Sequence, residues 1–301
     1  MQYLNFDPYI LSWIFEFLTE RIQFVQIGDK ISKPLTTNTG APQGCVLSPQ
    51  LFTIYTNDCR SSDNDNVPIL KFADDTVLQG LILNNNELSY RNQIAMFTNW
   101  CDENYLELNV KKTKEMVIDF RKEKLGLSPL YVKGHEVEQV YEYKYLGVIV
   151  DRELKWDRHI NNLQSRLNKR MYFLYKLCKF NVSNVLCSLF YRSVIESLLF
   201  FCITVWGGNC SQNCRNKISR IIRRADRLTG LENLQIENIF NSSCLKMIVK
   251  INSDNNHPLS ARLTHSNFSS RILAVKTKTE RHRNSFIPAS IRIFNELIEK
   301  K

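Results

Sequence analysis

An α+β chain is predicted by two hydrophobic periods that alternate along the first half of the sequence, while the second half keeps only one of them. Over residues 67–83, β-branched and aromatic residues flank a pair of aspartates, the pattern of two strands around a tight turn. Over residues 88–106 and again over 156–180, apolar residues recur at helical spacing. The third observation is charge. Residues 1–150 hold 14 Lys+Arg against 19 Asp+Glu, whereas residues 151–301 hold 26 against 11. An acidic mixed half therefore precedes a basic helical half, and the latter has the balance of a nucleic-acid surface.

The first helix is predicted to start at Asp7-Pro8. Asp7 carries the short acceptor side chain of an N-cap, Pro8 the fixed φ of a first helical position, and residues 9–18 supply an apolar run. A hairpin follows over residues 21–35, turning at Gly28-Asp29. Gly40-Ala41-Pro42-Gln43-Gly44 makes a tight, open loop, and the apolar positions Val46, Leu47, Leu51, Phe52, Ile54 and Tyr55 after it read as a helix. Ser48, or the loop itself, is placed to cap that helix. A glycine-rich turn opening a helix lets flat groups approach the backbone and offers N–H donors to phosphate.

The most informative residues lie next. Ala73-Asp74-Asp75-Thr76 places two carboxylates side by side between apolar runs, with the aspartates read as the turn. Two like charges at a ribbon tip repel, and a divalent cation removes that repulsion. Downstream, Ile94, Phe97, Trp100, Cys101 and Tyr105 mark a helix. The chain then breaks at a basic stretch, residues 109–114, and two strands are predicted at residues 115–120 and 143–150.

Four of these segments, in this order, resemble the successive motifs of reverse transcriptases: Gly40-Ala41-Pro42-Gln43-Gly44, Phe72-Ala73-Asp74-Asp75, Leu108-Asn109-Val110-Lys111-Lys112-Thr113 and Tyr145-Leu146-Gly147. The resemblance is closest to the non-LTR (LINE-type) retrotransposon branch and covers roughly residues 1–155. It implies a partial polymerase palm over residues 1–150, an antiparallel sheet with packed helices. A mainly helical thumb would follow over 151–230, and a C-terminal helical region with a flexible loop over 231–301. It also implies RNA-directed DNA synthesis by two-metal phosphoryl transfer, using Mg2+ or Mn2+, an RNA template, a DNA primer and deoxynucleoside triphosphates.

By the same resemblance, Asp74 would be the principal metal ligand and Asp75 a weaker or indirect one. Lys112 would be the general acid that protonates pyrophosphate, with Lys111 or Lys114 as alternatives in the same cluster. Pro42, Gln43 and Gly44 would lie under the nascent base pair, and Phe72 would touch the primer end or the nucleotide. Tyr145, Leu146 and Gly147 would form the turn that grips the primer.

The family also needs a third carboxylate on a strand upstream of the glycine loop. Phe6-Asp7 has the right look, but the N-cap reading assigns Asp7 to the first helix. The expectation is therefore a chain truncated inside the palm, which lacks the fingers and that aspartate and does not synthesise DNA alone.

In the basic half, Ile160, Leu163, Leu167, Met171 and Leu174 share a helix with Arg158, Arg166, Lys169 and Arg170. Ile218, Ile221, Ile222 and Ala225 alternate with Arg220, Arg223, Arg224 and Arg227 in a second one. Arg166, Lys169, Arg170, Arg220, Arg223 and Arg224 are the candidate nucleic-acid contacts. Residues 252–270, rich in Asn, Ser and His, read as a mobile loop, and residues 286–298 as a last helix.

Nine cysteines, several in apolar runs, suggest reduced thiols in an intracellular protein of the nucleus or cytoplasm. Cys210, Cys214, Cys244, His257 and His265 fit no standard zinc spacing. No signal peptide is visible, and residues 197–206 are too short to span a bilayer. Two alternatives to a polymerase remain: a non-catalytic nucleic-acid-binding remnant that uses the basic half, and a fragment with no selected role.

Overall fold

The computed structural model describes residues 6–124, 126–230, 235–266 and 271–299. In chain order the first elements are α1 (Pro8–Leu18), β1 (Arg21–Gln23), β2 (Gln26–Ile27), β3 (Lys30–Ile31), β4 (Leu35–Thr37), α2 (Leu47–Tyr55), β5 (Ile69–Phe72), β6 (Asp75–Leu78) and α3 (Leu88–Glu103). Six short strands follow: β7 (Lys114–Glu115), β8 (Tyr131–Val132), β9 (His135–Glu136), β10 (Glu138–Gln139), β11 (Glu142–Tyr145) and β12 (Val148–Asp151). The rest is helical: α4 (Asp157–Lys179), α5 (Asn184–Phe190), a π-helical turn (Tyr191–Glu196), α6 (Ser197–Leu199), α7 (Ile203–Trp206), α8 (Gln212–Thr229), α9 (Ile236–Ser253), a 3-10 turn (Ser260–Arg262), α10 (Glu280–Arg283) and α11 (Phe286–Glu299). The class is α+β, with helices and small antiparallel ribbons.

The chain divides into two compact units, residues 1–113 with 125–138, and residues 114–124 with 139–301. In the first, Asp7 caps α1 as its type predicts: the carboxylate accepts from the Tyr9 N–H at 2.8 Å. The predicted hairpin is present but interrupted. Its outer pair aligns Arg21 with Thr37 and its inner pair Gln26 with Ile31. Ser32 bridges the break, its N–H and hydroxyl both serving Val25 at 2.9 Å.

The core of this unit is small. Leu130, Val132 and Val137 pack against Ile94, Leu108 and Val110. Helix α1 buries Ile14 but leaves Tyr9 86% and Phe15 67% exposed.

The second unit holds the larger core. Helix α4 turns Ile160, Leu163, Leu167, Met171 and Leu174 inward, and α8 does the same with Ile218, Ile221, Ile222 and Ala225. These are the positions that the helical spacing marks as apolar. Ser211 caps α8 by accepting from the Cys214 N–H at 3.3 Å, and Gly230, at φ 68°, ends it in the left-handed conformation glycine favours. A second cluster of Ile248, Ile251, Leu263, Ile272 and Ile291 docks α11 on α9.

Two expectations change. Among the described residues the strand predicted over 115–120 shrinks to Lys114–Glu115, and the Phe120 ring takes the Arg281 guanidinium at 4.1 Å. The palm's expected sheet appears among the described residues as separate two-stranded ribbons, whose strands are two to four residues long. At the start of the segment 252–266, Asn252 and Ser253 close α9, and hydrogen-bonded turns follow through Leu263. Residues 267–270 lie outside the described residues.

No described helix is long and apolar enough to cross a membrane. Among the described residues no group of three or more His, Cys, Asp or Glu is placed to hold a metal, the Cys210–Cys214 cluster included. Burial pushes the Cys210 thiol up to about 12, where it stays protonated.

Candidate functional site

The carboxylate ribbon is built from β5 and β6, paired from Ile69 with Leu78 to Phe72 with Asp75. Asp75 is therefore the first residue of a strand, and the two-residue turn is Ala73-Asp74, one position earlier than the turn read from the sequence. Ala73 takes φ 52°, a left-handed conformation. The ladder is continued by Gln79 N–H to the Pro68 carbonyl at 3.1 Å and Leu81 N–H to the Asn66 carbonyl at 2.8 Å. Phe72, Ala73, Asp74 and Asp75 are all exposed at the tip.

What aims this tip is Lys71. A strand of period two sends Lys71 to the face opposite Phe72. There its ammonium donates to the carbonyls of Thr56 and of Cys59, the latter at 2.9 Å. Thr56 is the C-cap of α2 and Cys59 lies just beyond it, a helix end where a cation is favoured. The loop before β5 is anchored as well. Buried Gln93 of α3 accepts from the Ser61 hydroxyl and from both the N–H and hydroxyl of Ser62, at 2.9–3.1 Å.

The other end of α2 carries the glycine loop. Gly40 and Gly44 sit at φ 66° and 75° with open space around them, so the backbone conformation and not crowding requires glycine. Ser48 does not cap α2. Its hydroxyl donates to the Pro42 carbonyl at 2.6 Å and folds the loop back on the helix. Arg21 holds the start of the loop, donating to the carbonyls of Thr39 at 2.6 Å and Gly40 at 2.9 Å. Gln43 and Gly44 are exposed and Pro42 is half-buried. A single helix thus connects the loop to the ribbon.

Lys112 stands on a separate turn. The Asn109 side chain and carbonyl accept from its N–H, both at 3.1 Å, while Leu108 and Val110 pack into the small core. Among the described residues no hydrogen bond or ion pair joins Lys112 to Asp74 or Asp75.

Tyr145, Leu146 and Gly147 belong to the second unit. Tyr145 is the last residue of β11, and Leu146 and Gly147 form the two-residue turn to β12, at φ 45° and 89°. Two positive φ values define a type I′ turn, whose twist matches the strands it joins.

Arg166, Lys169, Arg220, Arg223 and Arg224 are exposed on the outer faces of α4 and α8. Arg170 is different. It is half-buried and donates to the Val194 carbonyl in the π-helical turn, where the widened i→i+5 pattern leaves carbonyls in need of partners.

Lys71 and Arg21 were not singled out from sequence. The only signal for Lys71 was a charge inside an otherwise apolar strand run. The chemistry of Asp74 and Asp75 suits a hard divalent cation. Two carboxylates do not make the full ligand set of a two-metal centre, so the fit is partial.

The reverse transcriptase (RNA-dependent DNA polymerase) family matches residues 2–150. The RNA-directed DNA polymerase from mobile element jockey of Drosophila melanogaster is 27% identical over 223 residues, 67% of this chain and 23% of that protein. The probable RNA-directed DNA polymerases from transposon X-element and transposon BS of the same fly are 25% and 24% identical, over 66% and 70% of this chain. The chain spans about a quarter of the length of these relatives. No solved structure matches it. With its glycine loop and paired aspartates joined through one helix, and with these relatives, the chain belongs to the reverse transcriptase family of LINE-type (non-LTR) retrotransposons.

Proposed function

We propose that the first unit is part of a polymerase palm and that the helical second unit, with the β11–β12 turn, grips the nucleic acid on which the palm works. The observation that carries this reading is the Lys71 clamp, which ties the exposed Asp74-Asp75 tip to the helix that begins at the Gln43 loop. A polymerase needs these two parts in fixed relation, because one holds metal and the other supports the base pair. The substrates are an RNA template, a DNA primer and deoxynucleoside triphosphates, and the protein works inside the cell, in nucleus or cytoplasm.

Asp74 and Asp75 would contribute carboxylate oxygens to Mg2+ or Mn2+, which when bound supplies charge stabilisation to phosphoryl transfer. Lys112, held outward by its Asn109 turn, is the proton donor to the leaving pyrophosphate. Gln43 and Phe72, both exposed, face the template and the primer end, while Pro42 and Gly44 shape the loop. Two carboxylates at one tip do not fix two ions about 3.5–4 Å apart. Residues 1–301 by themselves are therefore expected to bind primed template without extending it.

The test is templated nucleotide addition on a primed RNA template, with residues 1–301 alone and joined to an upstream segment of a relative. Extension only by the joined protein, lost in Asp74→Ala, is the expected result. Extension by residues 1–301 alone would overturn the incomplete-site reading, and extension that survives Asp74→Ala would overturn the metal role.

A second reading, nucleic-acid binding without catalysis, is favoured by the basic residues that α4 and α8 expose. It predicts salt-sensitive binding to an RNA–DNA hybrid that neither Asp74→Ala nor magnesium changes.

A further inference from the structure

Helix α4 presents aromatic rings to solvent on the face opposite its core stripe, where an amphipathic helix ordinarily carries polar groups. Tyr172 and Phe173 are 56% and 58% exposed, and their rings meet edge to face with centres 5.9 Å apart. Rings this exposed keep part of their surface open to a ligand. The Lys176 ammonium lies 5.4 Å from the centre of the Tyr172 ring. Exposed Lys169 stands one turn before the pair, and exposed Lys179 and Phe180 stand two turns after it. Residues 158–195 contain seven Lys and Arg and no Asp or Glu.

An aromatic patch without charge suits a protein or lipid partner, and a basic face without rings suits the phosphates of a duplex. Helix α8 is of the second kind: it exposes Arg220, Arg223, Arg224 and Arg227, and its 18 residues include no aromatic. Helix α4 combines exposed rings with a frame of cations, and its one acid, Asp157, lies in the first turn, far along the helix from the pair. The matching ligand carries a π-face and a negative charge on every unit. That ligand is an unpaired polynucleotide strand, because in a duplex the bases already stack on each other.

We propose that α4 is a stacking platform for unpaired nucleotides, with Tyr172 and Phe173 taking bases and Lys169, Lys176 and Arg166 taking the flanking phosphates. The proposal rests on the reading that the second unit holds nucleic acid, and it divides the labour there: α4 takes single strand and α8 takes duplex backbone.

The test measures fluorescence anisotropy of the full chain with labelled strands of about 20 nucleotides. The probes are RNA, DNA, an abasic strand of equal length and an RNA–DNA hybrid, each over a salt series, with light scattering on phosphatidylcholine–phosphatidylserine vesicles. The joint variant Tyr172→Ala with Phe173→Ala removes exposed side chains, and an unchanged thermal midpoint checks its fold. A ring-keeping variant, Tyr172→Phe with Phe173→Tyr, is the control. The expected result is a single-strand affinity about tenfold or more weaker in the alanine variant, with the salt slope kept and hybrid binding within about twofold. The ring-keeping variant should bind as the parent does, and the parent should bind the abasic strand poorly. A loss in the RNA arm or in the DNA arm supports the platform and identifies the strand. Undiminished single-strand binding, equal loss on the hybrid, or an effect confined to vesicles would overturn it. Failure of the parent to bind either strand or hybrid at low salt would instead sink the broader reading.

Discussion

Lys71, on the strand that leads to the paired aspartates, donates its ammonium to the Cys59 carbonyl at 2.9 Å, just beyond the last turn of α2. The same ammonium serves the Thr56 carbonyl. One side chain therefore sets the carboxylate ribbon against the helix that carries the glutamine loop. In Lys71→Met the Cys59 carbonyl loses the ammonium while the Thr56 carbonyl keeps the Cys59 N–H at 3.2 Å, and the expected loss is about 1–3 kcal/mol in urea unfolding. Lys71→Arg should recover part of it, since guanidinium keeps the charge and the donors. A Lys71→Met variant as stable as the parent would show that the clamp contributes nothing.

The two candidate turns share a backbone strain. Ala73 and Leu146 hold left-handed φ values that glycine adopts without penalty. Ala73→Gly and Leu146→Gly are each expected to raise stability by up to about 1 kcal/mol, read as a higher urea midpoint at unchanged slope. Gly147→Ala should do the reverse. Its φ is 89°, and an added Cβ would lie 3.2 Å from the Phe201 ring.

His159 makes the second unit sensitive to acid. It is buried on α4, its Nδ1 accepting from the Ile149 N–H at 3.3 Å, which requires the neutral ring. Burial, with Arg166 adding to it, lowers its pKa to about 4. Because the folded form binds the proton less well than the unfolded chain, stability is full above about pH 6.5 and falls as pH drops toward 4. The expected loss across that window is about 3 kcal/mol. His159→Gln should flatten this part of the stability–pH curve, and an unaltered curve would remove the assignment.

Arg170 and its neighbours on α4 should separate cleanly. Arg170→Gln removes the donor to the Val194 carbonyl and is expected to cost about 1–3 kcal/mol of stability. Arg166→Gln and Lys169→Gln should leave the thermal midpoint in place. Each should lower the salt slope of nucleic-acid binding by about 1.

Gly208 sits under the C-terminal helices. An added Cβ would lie 2.0 Å from the Asn284 carbonyl, a backbone group that cannot step aside. Gly208→Ala is expected to undock this segment, seen as faster amide exchange over residues 280–299 and a destabilisation above about 2 kcal/mol.

The residues of the chain alone determined the chemistry of its motifs and the faces of its long helices. Asp7 caps α1 because a short acceptor before proline has little else to do. Ile160, Leu163, Leu167, Met171 and Leu174 share one stripe because 3.6 residues make a turn. Pairing between distant segments was not legible in this way. Met116 to Phe120 has strand composition, yet among the described residues the strand stops at Glu115, and nothing local reports where a ladder ends. The ribbon turn moved one residue because Asp75 pairs with Phe72 across the strands, a register set between segments. Lys71 became a clamp, and Arg170 a brace, because folding brought backbone carbonyls within their reach. Charge and period can be read along a chain; which acceptor a long cationic side chain finds depends on the backbone folded around it.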